Sequence, residues 1–115
     1  MESLLLYHGN FNEKETIEIL IELCNGFKSL ERLNIIHRDL KLVNILLKER
    51  KIKIGDFGFC KQLKNKNDKM KTQLGSPLYM APELLKGQEY NYKVDIWSLG
   101  VVVYELLHGH CPFQG

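Results

Sequence analysis

Asp39 and Lys41 sit two residues apart in the segment His37-Arg38-Asp39-Leu40-Lys41, between two apolar stretches. On an extended loop, side chains two apart project to the same side. A carboxylate and an ammonium group so placed suit transfer of a charged group to a hydroxyl. The carboxylate takes the hydroxyl proton and the ammonium steadies the moving charge. Asn44 follows five residues after Asp39, and Asp56-Phe57-Gly58 comes directly after the alternating run KIKI at 51–54. If residues 44–47 and 51–54 are the arms of a hairpin turning at 48–50, Asn44 and Asp56 come together. One carboxylate and one amide oxygen are hard ligands that suit Mg²⁺, which completes its shell with water and phosphate oxygens.

The elements that position these groups are legible in outline. Residues 12–33 predict an amphipathic helix: Asn12 and Glu15 have capping-box spacing, and acidic residues cluster at its start. Ile17, Leu20, Ile21 and Cys24, continued by Phe27 and Leu30, form an apolar stripe at helical period. Asn34 marks its end. Residues 62–71, QLKNKNDKMK, have no apolar periodicity and predict a solvated, mobile loop. Pro77, Pro82 and Gly87 punctuate the next stretch. Residues 94–108 predict a second helix, apolar on nearly every face, of the kind normally buried within a larger protein.

Bulk properties narrow the class. The chain of 115 residues is at most one domain, with the 44% hydrophobic and 26% charged content of an ordinary globular protein. A net charge of +2 argues for neither nucleic acid nor an acidic membrane as partner. Cys24, Cys60 and Cys111 are odd in number and widely spaced, which argues against a disulfide framework or a zinc site and fits a reducing compartment. The N-terminus has no signal-peptide pattern, and the longest apolar run, 96–107, is too short to span a bilayer and contains Glu105. A cytoplasmic protein is expected.

The ordered set HRDLKLVNILL, DFG and Ala81-Pro82-Glu83 resembles the signature motifs of eukaryotic-type Ser/Thr protein kinases, and the likeness runs over essentially the whole chain. GFCKQL and GSPLYMAPELL are similar to the autophagy-initiating Unc-51-like kinases; calcium/calmodulin-dependent and aurora-type kinases share much of this pattern. The resemblance implies an α+β, protein-kinase-like fold, with residues 1–115 forming part of a kinase domain: a mainly helical lobe fragment whose small hairpin carries the catalytic and metal loops. It implies transfer of the ATP γ-phosphate to Ser or Thr hydroxyls of protein substrates, with ATP and Mg²⁺. Asp39 would accept the hydroxyl proton, Lys41 would steady the phosphate, and Asn44 and Asp56 would hold the metal. His37 and Phe57 would be structural, Gly58 would give freedom to the metal-binding aspartate, and Asp95 would anchor the catalytic loop from below. The plainer reading of Asp95 is a helix N-cap, and the two roles are compatible. Lys41, two residues after the catalytic aspartate, and Ser76, in a substrate platform touching Asp39 and Lys41, imply Ser/Thr specificity. Thr72 resembles an activation-loop site whose phosphate would pair with Arg38 and raise activity, so Thr72→Ala should lose the gain. The alternative is an exposed loop threonine of no consequence.

Three positions depart from the family pattern. Leu42 stands where proline is usual, with little effect expected. Gly55 adds flexibility before Asp56, and Cys60 reads as a small buried hydrophobe rather than a reactive thiol. No Gly-rich loop or strand lysine is present, and the arginine that would pair with Glu83 lies beyond Gly115 in the family. The nucleotide-clamping lobe and last helices are thus expected to be absent, and the 115-residue polypeptide alone to be inactive; phosphate transfer from ATP by the purified chain would contradict this. A short partner-binding product and a small-molecule phosphotransferase are the competing readings; the APE segment argues against the second.

Overall fold

The computed structural model describes residues 11–48, 51–55, 58, 60–65 and 68–113. Helix α1, Glu13–Arg32, starts at the predicted capping box: Asn12 Oδ1 accepts the Glu15 N–H at 2.8 Å and Glu15 Oε1 accepts the Asn12 N–H at 3.1 Å. Asn34, with φ 55°, takes the left-handed conformation just past its end, where asparagine is tolerated. The predicted apolar stripe is corrected. Ile17 and Ile21 are 48% and 56% exposed and Cys24 is also exposed, whereas Thr16 and Leu23 are buried, with Ile19 and Phe27 packed beside Leu23. The helix carries two neighbouring apolar faces, and the rest of the chain packs on the one at 16, 19, 23 and 27.

Strands β1 (Ile35–Ile36), β2 (Ile45–Lys48), β3 (Lys51–Ile54) and β4 (Lys61–Gln62) make two small antiparallel pairs, β1 with β4 and β2 with β3. The hairpin forms in the register Ile45↔Ile54 to Lys48↔Lys51, so Lys48 belongs to a strand rather than to the turn. Asn44 closes a 3₁₀ turn, Leu42–Asn44, instead of starting β2. Helix α1 covers β3: Glu22 Oε2 accepts the Ile52 N–H at 3.2 Å, and a Cβ on Gly26 would stand 3.2 Å from Ile54 Cδ1. The outer edge of the hairpin is thereby covered.

Helix α2 (Pro82–Leu85) and helix α3 (Lys93–His108) complete the chain, with Gly109 at φ 81° ending α3. Among the described residues, α3 is covered along one side. Val94, Asp95, Ser98, Val101, Val102 and Leu106 are buried, while Ile96 is 60% exposed on the other side. No helix among the described residues is long and apolar enough to cross a membrane.

Two apolar clusters flank the loop at 37–41. Leu23, Leu40, Leu42, Ile45, Val102 and Leu106 belong to the first. Ile36, Leu63, Met70, Tyr90 and Val94 belong to the second. Leu40 and Leu42 alternate with Asp39 and Lys41, so each burial turns a polar neighbour outward. Leu42 is therefore more than a backbone-constrained position: its side chain is fully buried, which contributes roughly 1.5–3 kcal/mol. The 62–71 loop is likewise corrected at its ends. Gln62 pairs in β4, Leu63 is buried, and Met70 is buried and bridged to Tyr90 by two backbone hydrogen bonds of 2.8 Å.

Candidate active site

The loop between β1 and the 3₁₀ turn is held from beneath by helix α3. Asp95 Oδ2 accepts the His37 N–H at 2.7 Å and Oδ1 accepts the Arg38 N–H at 3.0 Å. The N-cap of α3 is Tyr92, which places Asp95 at the third helical position, so the N-cap reading of this aspartate is corrected. Burial pushes the Asp95 carboxyl above the usual carboxylate range, opposed by the two N–H groups it accepts. The anchoring sustains an unusual backbone: Arg38 has φ 69°, a conformation that costs a non-glycine residue about 1–3 kcal/mol.

His37 is completely buried between two backbone partners. Its Nδ1 lies 3.2 Å from the Asp39 N–H and its Nε2 lies 2.9 Å from the Gly55 carbonyl. An amide N–H can only donate and a carbonyl only accept, so the pair selects the tautomer protonated on Nε2. Gly55 also donates its N–H to the Asn44 carbonyl at 2.7 Å. With both its backbone groups engaged, Gly55 is a fixed point rather than the flexible one expected.

Asp39 is the meeting place of the polar groups. Its carbonyl accepts Asn44 Nδ2 at 2.7 Å, Oδ1 accepts the Ser76 hydroxyl at 3.0 Å, and Oδ2 lies 3.9 Å from Lys41 Nζ. Ser76 is hydrogen-bonded to Asp39 but not, among the described residues, to Lys41. The Asn44 amide spends its Nδ2 on the loop, which fixes its orientation and leaves Oδ1 as its group for a ligand. That oxygen is a hard donor of the kind Mg²⁺ takes. Asp56 and Phe57 lie outside the described residues; Gly58 is exposed, in a turn. Glu83 sits in the first turn of α2, and among the described residues its side chain makes no bond to these groups.

The platform at 75–80 is tied to the same loop and the same helix. Gly75 has φ 117°, and a Cβ there would fall 2.8 Å from the Arg38 carbonyl oxygen, so only glycine permits this approach. The Ser98 hydroxyl lies 2.7 Å from the Tyr79 carbonyl, and the Tyr79 hydroxyl donates to Glu105. Burial, then Glu105 and Cys111 beside it, raise the Tyr79 hydroxyl far above its ordinary range, keeping it a donor. Asp95, Ser98 and Glu105 thus let one helix fix both the loop and the platform. Sequence reasoning placed Gly75 and Tyr79 in the platform segment without giving either a role and missed Ser98; the signal available for the tie between platform and helix was a carboxylate, Glu105, inside an apolar run.

An anchored loop presenting Asp39, Lys41 and Asn44 beside a serine-bearing platform is what the protein-kinase motifs require. A family model described as "Protein kinase domain" matches residues 1–115. The chain belongs to the protein kinase domain family. It is 45% identical over 107 residues to the serine/threonine-protein kinase CLA4 of Saccharomyces cerevisiae, covering 92% of this chain and 13% of that protein. It is 43% identical over 110 residues to the serine/threonine-protein kinase shk2 of Schizosaccharomyces pombe, covering 95% and 19%. A putative protein kinase C delta type homolog of Drosophila melanogaster is 43% identical over 116 residues, covering 96% and 17%. The kinase chain spans between about an eighth and a fifth of the length of these relatives.

Proposed function

We propose that this chain is the catalytic-loop and platform segment of a protein serine/threonine kinase, acting on ATP and on Ser or Thr hydroxyls of protein substrates. The observation that carries the reading is the Ser76 hydroxyl at 3.0 Å from Asp39 Oδ1 with Lys41 Nζ at 3.9 Å from Oδ2. The carboxylate already accepts a serine O–H while an ammonium stands beside it, as an acceptor hydroxyl requires. Asp39 orients that hydroxyl and takes its proton as the substrate oxygen bonds to the γ-phosphorus and the bond to the ADP oxygen breaks. Lys41 offsets the charge on the transferred phosphoryl group. Asn44 Oδ1 and Asp56 are the residues that would hold Mg²⁺, which when bound neutralises phosphate charge. A cytoplasmic location belongs to the same reading and is supported by Cys24, Cys60 and Cys111, which form no disulfide with one another.

The test is phosphate transfer by the full-length protein. With ATP and Mg²⁺ it should place phosphate on Ser and Thr of a generic protein substrate, read by mass spectrometry. Loss of even an outer-shell partner costs about 10–100-fold in metal affinity, so removing a direct ligand by Asn44→Ala should raise the Mg²⁺ concentration for half-maximal rate at least about tenfold. No transfer by the wild type, or an unchanged Mg²⁺ requirement in the variant, would count against the proposal.

A further inference from the structure

Thr72 and Arg38 are joined by a third residue. Tyr90 is 3% exposed, in the loop between α2 and α3. Its hydroxyl donates to the Thr72 carbonyl, and Arg38 Nη1 approaches the same hydroxyl at 3.4 Å. Its backbone exchanges two hydrogen bonds of 2.8 Å with Met70, two residues before Thr72. One buried residue therefore grips the segment at 70 by its main chain and at 72 by its side chain, while contacting the arginine beside Asp39. The Thr72 side chain itself is exposed, open to modification.

We infer that Tyr90 is a positioning residue that pre-orders the Thr72 segment against Arg38 before any phosphate is present. The inference rests on the kinase reading above. A guanidinium N–H directed at the phenol oxygen makes the phenol O–H a better donor to the Thr72 carbonyl, so the two contacts reinforce each other. Ordering a loop costs backbone entropy for every residue fixed. A tether that has already met part of that cost sustains activity in the unphosphorylated enzyme. A phosphate on Thr72 supplies its own charge-assisted contact with Arg38 and replaces the tether.

Tyr90→Phe keeps the ring and the burial and deletes the hydroxyl. In the full-length protein, unphosphorylated at Thr72, we expect its kcat/KM for a protein substrate to fall about three- to tenfold, the worth of one hydrogen bond. With Thr72 phosphorylated, the variant should return to within about twofold of wild type. Exposed Lys69 and Lys71 give an independent readout, since the unphosphorylated variant should be cut there faster by trypsin. Equal rates for variant and wild type without phosphate, or equal deficits with and without it, overturn the inference. If the wild type transfers no phosphate at all, the kinase reading fails. The tryptic comparison alone then decides the tether, and equal cleavage rates reject it.

Discussion

Replacing Asp39 by asparagine in the full-length protein is expected to lower kcat by about 10²–10⁴-fold, the usual contribution of a positioned general base. The size of the effect follows from what the substitution leaves in place. The Asp39 backbone is held independently, its N–H by His37 Nδ1 at 3.2 Å and its carbonyl by Asn44 Nδ2 at 2.7 Å. Asparagine matches aspartate in shape, and its oxygen can still accept the Ser76 hydroxyl. What is lost is the proton acceptor, and an NH₂ group now faces Lys41 Nζ, two donors where a carboxylate and an ammonium stood 3.9 Å apart. The melting temperature should therefore stay near that of wild type and the KM for ATP should change little, while turnover collapses. Steady-state kinetics beside thermal denaturation check this. A variant within tenfold of wild type would remove Asp39 from the role of base.

Those contacts also explain which parts of the molecule could be read in advance. The capping box at Asn12 and Glu15, the stop at Asn34 and the KIKI hairpin are local: each is decided by residues within a few positions of one another. The loop's polar face was legible for the same reason, because Leu40 and Leu42 bury themselves by alternation and turn Asp39 and Lys41 outward. Choosing between the two apolar faces of α1 was not a local matter. Ile17 and Ile21 are as hydrophobic and as regularly spaced as Ile19 and Leu23, and only the arrival of α3 and the hairpin distinguishes them. Met70 and Tyr90 were missed because a single β-bridge leaves no periodic trace in a polar loop. Gly55 was misjudged because a glycine's freedom is removed when both of its backbone groups are bonded, here by Asn44 and His37.

Helix α3 has a comparable division of labour. Its apolar residues, Val94, Val101, Val102 and Leu106, supply burial that any helix could supply. Its specificity lies in three polar positions whose partners are distant in the chain. Asp95 meets His37 and Arg38, Ser98 meets the Tyr79 carbonyl, and Glu105 meets the Tyr79 hydroxyl. Buried polar groups of this kind are costly unless satisfied. The loop and the platform therefore cannot shift relative to the helix without leaving donors or acceptors unpaired.

Asp95→Ala is the substitution expected to show this most strongly. It leaves the His37 and Arg38 N–H groups without their acceptor at a buried site, a loss of about 2–5 kcal/mol of stability. It also releases Arg38 from the left-handed conformation at φ 69°, so Asp39, the next residue, loses its placement and activity falls with stability. Asp95→Asn should not rescue either property. Its single oxygen can serve one N–H while its NH₂ confronts the other, since the two donors approach different carboxylate oxygens at 2.7 and 3.0 Å. The pH dependence has a definite sign. Burial raises the folded-state carboxyl above its ordinary value of 3.8, so the folded chain binds this proton more tightly than the unfolded chain. Asp95's own contribution to stability is then fully present below that ordinary value and declines as pH rises through the higher folded value. The stability deficit of Asp95→Ala should accordingly narrow between acid and neutral pH, measured by denaturant unfolding of variant and wild type in parallel. A deficit that widens instead would mean that the two N–H donors outweigh burial and hold the carboxyl below its ordinary range.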